Sequence, residues 1–375
     1  MVVVDVHASD SLREFASALR RRGVDVVHLR PPYTGRGSAL KQRVDSWAGP
    51  VVPLELDLAG DSPAAAALRR QVLASPTVDV HATEPVLARL CRTPEWSANP
   101  ALRKVRPALD LLRVLDKWEV SRLAHDAGVR VPEAWTELVS DEYPVMVKGR
   151  LGVGGMFVRV AHDEAELERV VASYRAEGVE PFLERRYPHV TGIGTGGVCK
   201  DGRVLSLATY ERMHDPERPL APSIAIRAYH SSEAEAETER LMAAIGYTGM
   251  FCLNFVPDAE GHPLLIDVNT RAFGVWASLD LLGVPVLDSY LEMLGAGPAA
   301  PAEEVDPERW LTVARMGHVV DRSWRDALDE TRTMGRVVLG QRRLLGWGWT
   351  AAAELRVLQT GAQSAAAVLR ARRRS

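Results

Sequence analysis

The chain has 375 residues, 46% of them hydrophobic and 25% charged, with a formal net charge of −3. That balance excludes a disordered chain and a single small binding module, and the near-neutral charge gives no sign of a nucleic-acid partner. Three scattered cysteines, Cys91, Cys199 and Cys252, lack CxxC spacing and so exclude a disulfide framework or a cysteine zinc site. No run approaches the roughly 20 apolar residues of a transmembrane segment. The opening MVVVDVH has no basic region before its short apolar run, so it reads as a strand rather than a signal peptide. A reducing, cytoplasmic setting is the expectation.

Val2 to Val6 is apolar, Leu12 to Arg22 has helical spacing, Gly23 stops that helix, and Val24 to Leu29 is apolar again. This βαβ order predicts a parallel α/β layer, with Val51 to Leu56 and Val78 to His81 as further strands. Its first turn lacks the glycine fingerprint of a dinucleotide site, so the layer by itself assigns no chemistry. Residues 1–110 are taken as this N-terminal domain.

From Asp110 a helical pattern runs through Leu111, Leu115, Trp118 and Leu123 to a stop at Gly128. Tyr143 to Lys148 then reads as a strand, Gly149 to Gly155 as a glycine-rich turn, Met156 to Ala161 as a returning strand, and Asp163 to Glu177 as an acid-capped helix ending at Gly178. Residues 111–190 make this second unit, and 191–300 a third. In the third, Val198 to Ala208 is a hairpin turning at Asp201-Gly202, Ala234 to Ile245 a helix, and Met250 to Pro257 and Leu264 to Asn269 are strands. Residues 301–375 read as a mostly helical extension, in which nine arginines face one acid between Arg332 and Arg374. Its Trp324, Trp347 and Trp349 suit helices packed on the body or on a second subunit, while the basic face also suits an anionic membrane or a nucleic acid.

Several motifs fail on context. Gly149 to Gly154 has P-loop spacing, but Gly155-Met156 stands where Lys-Ser/Thr is required. Gly192 to Gly197 satisfies GxGxxG, yet a hairpin follows it rather than a helix. Val145-Met146-Val147-Lys148 has no HRD or DFG downstream to make it a kinase lysine.

What remains is Lys148 beside Gly152, Gly154 and Gly155. Glycines let backbone N–H groups approach phosphate oxygens, and the lysine neutralises charge; the same pattern also suits a plain hairpin with an exposed lysine. A second constellation favours the nucleotide reading. Asn254 in MFCLNF, and Asp267, Asn269 and Arg271 in LLIDVNTR, lie on two strands that can pair. Alternation puts Asp267 and Asn269 on one face, with Asn254 able to face them. A carboxylate and two carboxamides suit octahedral Mg2+ shared with nucleotide phosphates, and Arg271 can hold a phosphoryl group or carboxylate in its fork.

At this point the chain resembles the ATP-grasp superfamily. The resemblance rests on Lys117 in LDKWEVSRLAHDAGVRVP, Lys148 in YPVMVK, the loop GRLGVGGMFV, Glu184 in PFLERRY, and IDVNTR. It covers about residues 1–295 and looks closest to the carbamoyl-phosphate-synthetase-like and carboxylate-amine ligase branch. It implies an α/β and α+β ATP-grasp fold with a Rossmann-like N-terminal domain, with ATP and Mg2+ (or Mn2+) as cofactors. Lys117 and Lys148 would contact phosphates, Glu184 and its neighbours adenine or ribose, and Asn254, Asp267 and Asn269 the metal. Asn254 stands where most members carry glutamate, and Asp267 is one methylene shorter than the usual glutamate.

Arg212 and Arg227 can bind a substrate carboxylate or lie solvated in a loop, and His214 can act as a general base or as an ordinary surface histidine. The implied activity joins a carboxylic acid to an amine through an acyl phosphate, releasing ADP and phosphate, with small molecules as partners. The extension offers a homodimer or peripheral contact. The other readings are a nucleotide-binding homologue that has lost catalysis, an enzyme that forms acyl adenylates, and a membrane or nucleic-acid binder working through the basic tail.

Overall fold

The computed structural model of the protein describes residues 1–5, 10–32, 51–54, 60, 62–81, 84–97, 111–152, 155–187, 192–213, 225–297 and 310–312. The first layer contains β1 (Val2–Asp5), α1 (Asp10–Arg21), β2 (Val27–Arg30), β3 (Val51–Pro53), α2 (Pro63–Leu73) and β4 (Val78–His81). Its strands lie in the order β3-β2-β1-β4, and every pairing is parallel. Helices covering a parallel sheet bury both faces of its strands, so that even the polar His28 and Arg30 of β2 and Asp79 of β4 are buried. Leu12, Phe15, Ala16 and Leu19 recur at helical spacing on α1 and are all buried. Two short helices follow, α3 (Glu84–Cys91) and α4 (Pro94–Ser97).

The helical stretch after residue 110 is two helices, α5 (Leu111–Leu115) and α6 (Lys117–Asp126). Asp116 separates them because its backbone is extended (φ −82°, ψ 113°) and its carboxylate accepts from the amides of Trp118 and Glu119. An aspartate that caps a new helix competes successfully with continuation of the old one.

The second unit is an antiparallel sheet in the order β5-β8-β6-β7. It is formed by β5 (Ala134–Trp135), β6 (Val145–Gly149), β7 (Val158–Ala161) and β8 (Pro181–Arg185), with α7 (Glu164–Ala176) between β7 and β8. Leu167, Val171 and Tyr174 of α7 pack on Val145, Val147 and Leu183.

The third is a six-stranded sheet in the order β13-β12-β9-β10-β11-β14. Its strands are β9 (Gly192–Lys200), β10 (Arg203–Met213), β11 (Ala225–Ala228), β12 (Gly249–Pro257), β13 (Pro263–Asn269) and β14 (Trp310–Thr312), with helices α8 (Ser232–Ile245), α9 (Trp276–Leu281) and α10 (Val286–Met293). The expected turn joins β9 to β10, with Asp201 and Gly202 both at positive φ (50° and 78°). The GxGxxG match lies inside β9, so no helix follows it. Of residues 301–375 only 310–312 are described, and they pair antiparallel with β11 at the sheet edge; the arginine-rich tail and its tryptophans lie outside the described residues.

One face of the large sheet carries α8, through Thr195 Oγ1 and Thr238 Oγ1 at 2.8 Å. The other is covered by α9 and α10, on which α1 packs, where Phe15 meets Trp276 and Tyr290 edge-on at 5.6 and 4.8 Å. That aromatic seam joins the N-terminal layer to the large sheet. All three cysteines are buried, and none of them is in a disulfide.

Candidate functional site

Lys117 is the first residue of α6, placed there by the Asp116 cap. Lys148 lies on β6 opposite Phe182, and Glu184 lies opposite Met146, so the lysine and the glutamate are diagonal neighbours on one face of the smaller sheet. Each is 5% exposed. Lys148 Nζ is 2.5 Å from Glu184 Oε1 and donates to the Ile266 carbonyl of β13 at 3.1 Å, which ties the smaller sheet to the large one. Burial pushes the Glu184 carboxyl above its ordinary value, although Lys148 acts in the opposite direction.

Across this junction, Asn254 of β12 stands opposite Asp267 of β13, next to an irregularity in the ladder between Asn254 and Phe255. Asp267 gathers the rest of the cluster. Lys117 Nζ donates to its Oδ1, while Asn254 Nδ2 (3.2 Å) and Asn269 Nδ2 (2.8 Å) donate to its Oδ2. Arg271 Nη2 then donates to Asn269 Oδ1 at 3.1 Å. Burial opposes ionisation of Asp267, but Lys117, Lys148 and the Asn269 hydrogen bond outweigh it and hold the carboxyl well below the usual carboxylate range.

Among the described residues no group of three or more His, Cys, Asp or Glu side chains can hold a metal ion. The trio of Asn254, Asp267 and Asn269 is therefore no all-protein cage. One carboxylate and two carboxamides fit a hard octahedral cation that takes its other oxygens from phosphate and water.

The remaining predicted residues separate by sheet face. Register sets Asn254 beside Gly194 and Gly194 beside Tyr210, and Arg212 is two residues farther along β10, so Arg212 shares the face of Asn254. Arg227 does not. It pairs directly with Glu211, its Nε donating to Oε2 at 2.6 Å, and the neighbouring Thr209 donates to Glu235 of α8. Adjacent strand residues point to opposite faces, which puts Arg227 on the α8 side, away from the face that carries Asn254 and Arg212. Gly152 has a packing reason for its identity, since a Cβ there would lie 2.9 Å from the Phe157 ring, and Gly155 has a positive φ of 74°. Gly154 and His214 lie outside the described residues.

Two neighbours were missed by sequence reasoning. Asp116, with Glu119 three residues on, is a legible capping pattern at the start of α6. Arg150 gives no sequence signal, yet its Nε donates to Asp116 Oδ2 at 2.8 Å and its carbonyl accepts from the Lys117 amide at 2.8 Å.

Residues 114–275 match the sequence profile of the ATP-grasp domain. Mitochondrial pyruvate carboxylase of Mus musculus is 25% identical over 200 residues, covering 46% of this chain and 17% of that protein. The carbamoyl phosphate synthase large chain of Clostridium beijerinckii is 25% identical over 192 residues, covering 49% of this chain and 18% of that one. The chain thus spans less than a fifth of the length of these curated relatives. Among solved structures, an L-amino acid ligase from Bacillus licheniformis superposes with a TM-score of 0.60 at 18% identity, over 82% of this chain and 77% of that one. A biotin carboxylase from Campylobacter jejuni gives 0.61 at 14% identity, over 82% and 74%.

Proposed function

We propose, for a chain that carries an ATP-grasp domain, that it is an ATP-dependent ligase joining a carboxylic acid to an amine and releasing ADP and phosphate. The observation that carries this reading is the convergence of Lys117 and Lys148 on the strand bearing Asp267 and Asn269, one lysine on Asp267 and the other on the Ile266 carbonyl. Likeness to a structure named as an L-amino acid ligase, and to an ADP complex of N5-carboxyaminoimidazole ribonucleotide synthetase, supports it.

Phosphoryl transfer depends on positioning and charge neutralisation rather than on a protein nucleophile. Lys117 and Lys148 would hold the phosphates. Asn254, Asp267 and Asn269 would hold Mg2+ or Mn2+, which supplies further neutralisation of phosphate charge when bound. A substrate carboxylate oxygen attacks the γ-phosphorus, the bond to the bridging oxygen breaks, and ADP leaves with that electron pair. The amine nitrogen then attacks the acyl carbon, the carbon–oxygen bond to phosphate breaks, and the nitrogen gives up a proton. Arg271 and Arg212 are the cations for the carboxylate and its acyl phosphate, and His214 is the candidate base. Such a protein works on small molecules in the cytoplasm, and no helix among the described residues is long and apolar enough to cross a membrane.

The test is nucleotide product analysis with MgATP, divided pools of carboxylic acids, and hydroxylamine to trap activated acyl groups, beside Asp267→Ala. ADP, phosphate and hydroxamate that disappear in the variant support the ligase, whereas AMP and pyrophosphate would sink it. A second reading, a nucleotide-binding homologue without turnover, is favoured by the single carboxylate in the metal trio and by Lys117 resting on it. It predicts MgATP binding with no product from any pool.

A further inference from the structure

The two phosphate-facing lysines come from different elements, α6 and β6, and one side chain joins those elements. Arg150 follows directly after β6, two residues beyond Lys148. Its Nε and Nη2 lie 2.8 and 2.7 Å from Asp116 Oδ2, and its Nη2 lies 3.5 Å from Glu119 Oε1. Asp116 uses its other oxygen, Oδ1, to accept from the amides of Trp118 and Glu119, so a single carboxylate both starts α6 and receives the guanidinium. The Arg150 backbone completes the joint, its carbonyl accepting from the Lys117 amide at 2.8 Å and its amide donating to the Glu180 carbonyl at 2.8 Å.

We infer that Arg150 is a positioning residue, holding the α6 start against the end of β6 so that Lys117 and Lys148 meet the same nucleotide phosphates. This rests on the reading of the two lysines given under the proposed function. The guanidinium is committed to Asp116 and Glu119, and it acts through Lys117 rather than on the nucleotide. A planar fork with two nitrogens on one carboxylate oxygen fixes an angle as well as a distance, which a lysine ammonium does not.

The experiment is calorimetric titration of the full chain with Mg2+ and the non-hydrolysable analogue AMP-PNP, using Arg150→Met, Arg150→Lys, Lys117→Met and the double variant Lys117→Met/Arg150→Met. Arg150→Met is expected to weaken binding roughly tenfold, the scale of one charge-assisted hydrogen bond, and Arg150→Lys to recover less than half of that loss. Because Arg150 works through Lys117, the double variant should bind as Lys117→Met does. Unchanged binding in Arg150→Met, full recovery by lysine, or losses that simply multiply in the double variant would each overturn the inference. If the unaltered protein binds no AMP-PNP, the functional reading has failed and the joint is judged alone. Hydrogen exchange at the Lys117 amide should then accelerate in Arg150→Met relative to the Ala127 amide at the far end of α6, and equal exchange would overturn it.

Discussion

Lys148 and Glu184 are each 5% exposed, and charges that deep persist only as a pair. Lys148→Met would leave a buried carboxylate alone, which costs about 3 kcal/mol, although the upward pull on the Glu184 carboxyl lets protonation relieve part of it. Urea denaturation is expected to show that loss, and Lys148→Met/Glu184→Gln to recover most of it without restoring nucleotide binding. Asp267 presents the opposite case. Its charge is held by Lys117 and two carboxamides, so Asp267→Asn keeps the shape and removes the only carboxylate of the trio. Turnover should fall by about 100-fold or more, the scale of several kcal/mol of lost charge stabilisation, while the melting temperature moves by only a few degrees. Retained turnover would remove Asp267 from the site.

At the scale of elements, β9 shows why a glycine-rich run is a central strand here. A Cβ on Gly194 would lie 2.4 Å from the Tyr210 ring, and one on Gly197 only 1.9 Å from the Ser206 carbonyl oxygen of β10. The backbone itself blocks the second position, so Gly197→Ala must open the β9–β10 ladder. It is expected to destabilise the protein by about 3 kcal/mol or more, read from the denaturant midpoint. Gly194→Ala meets a side chain that can shift and should cost less. Helix ends follow local rules, and of these the Asp163 start and the Gly178 stop were legible in the sequence. Asp163 caps α7, Ser231 caps α8, and Gly178 and Gly246 adopt φ of 71° and 60° just past those helices.

For the whole molecule the informative feature is the seam between the N-terminal layer and the large sheet. Asp280 of α9 accepts from the Leu287 amide of α10 at 3.3 Å, next to Asp288, which is paired with Arg22 just beyond α1. Burial, reinforced by Asp288, pushes the Asp280 carboxyl up to about 7. The folded state therefore binds its proton more tightly than the unfolded chain, so this group stabilises at low pH and the contribution is lost as pH rises from about 4 through 7. Asp280→Asn should flatten the fall in urea midpoint between pH 5 and 8 by the equivalent of a few kcal/mol. An unchanged pH profile would show that the seam admits solvent to the carboxylate.

Read alone, the sequence determined the βαβ opening, the hairpin at Asp201-Gly202, the acid cap and glycine stop of α7, and the candidate residue types on β6, β12 and β13, because these follow from alternation and from contacts within a few residues. Alternation also put Asp267 and Asn269 on one face. Only the tertiary structure decided that Lys117 rests on Asp267, 150 residues away, that Glu184 is the partner of Lys148, and that Arg227 turns to the α8 face beside Glu211. Arg150 was invisible for the same reason. Its role comes from one sheet ending against the start of a helix, and that juxtaposition is set by how separate elements pack, which local periodicity does not encode.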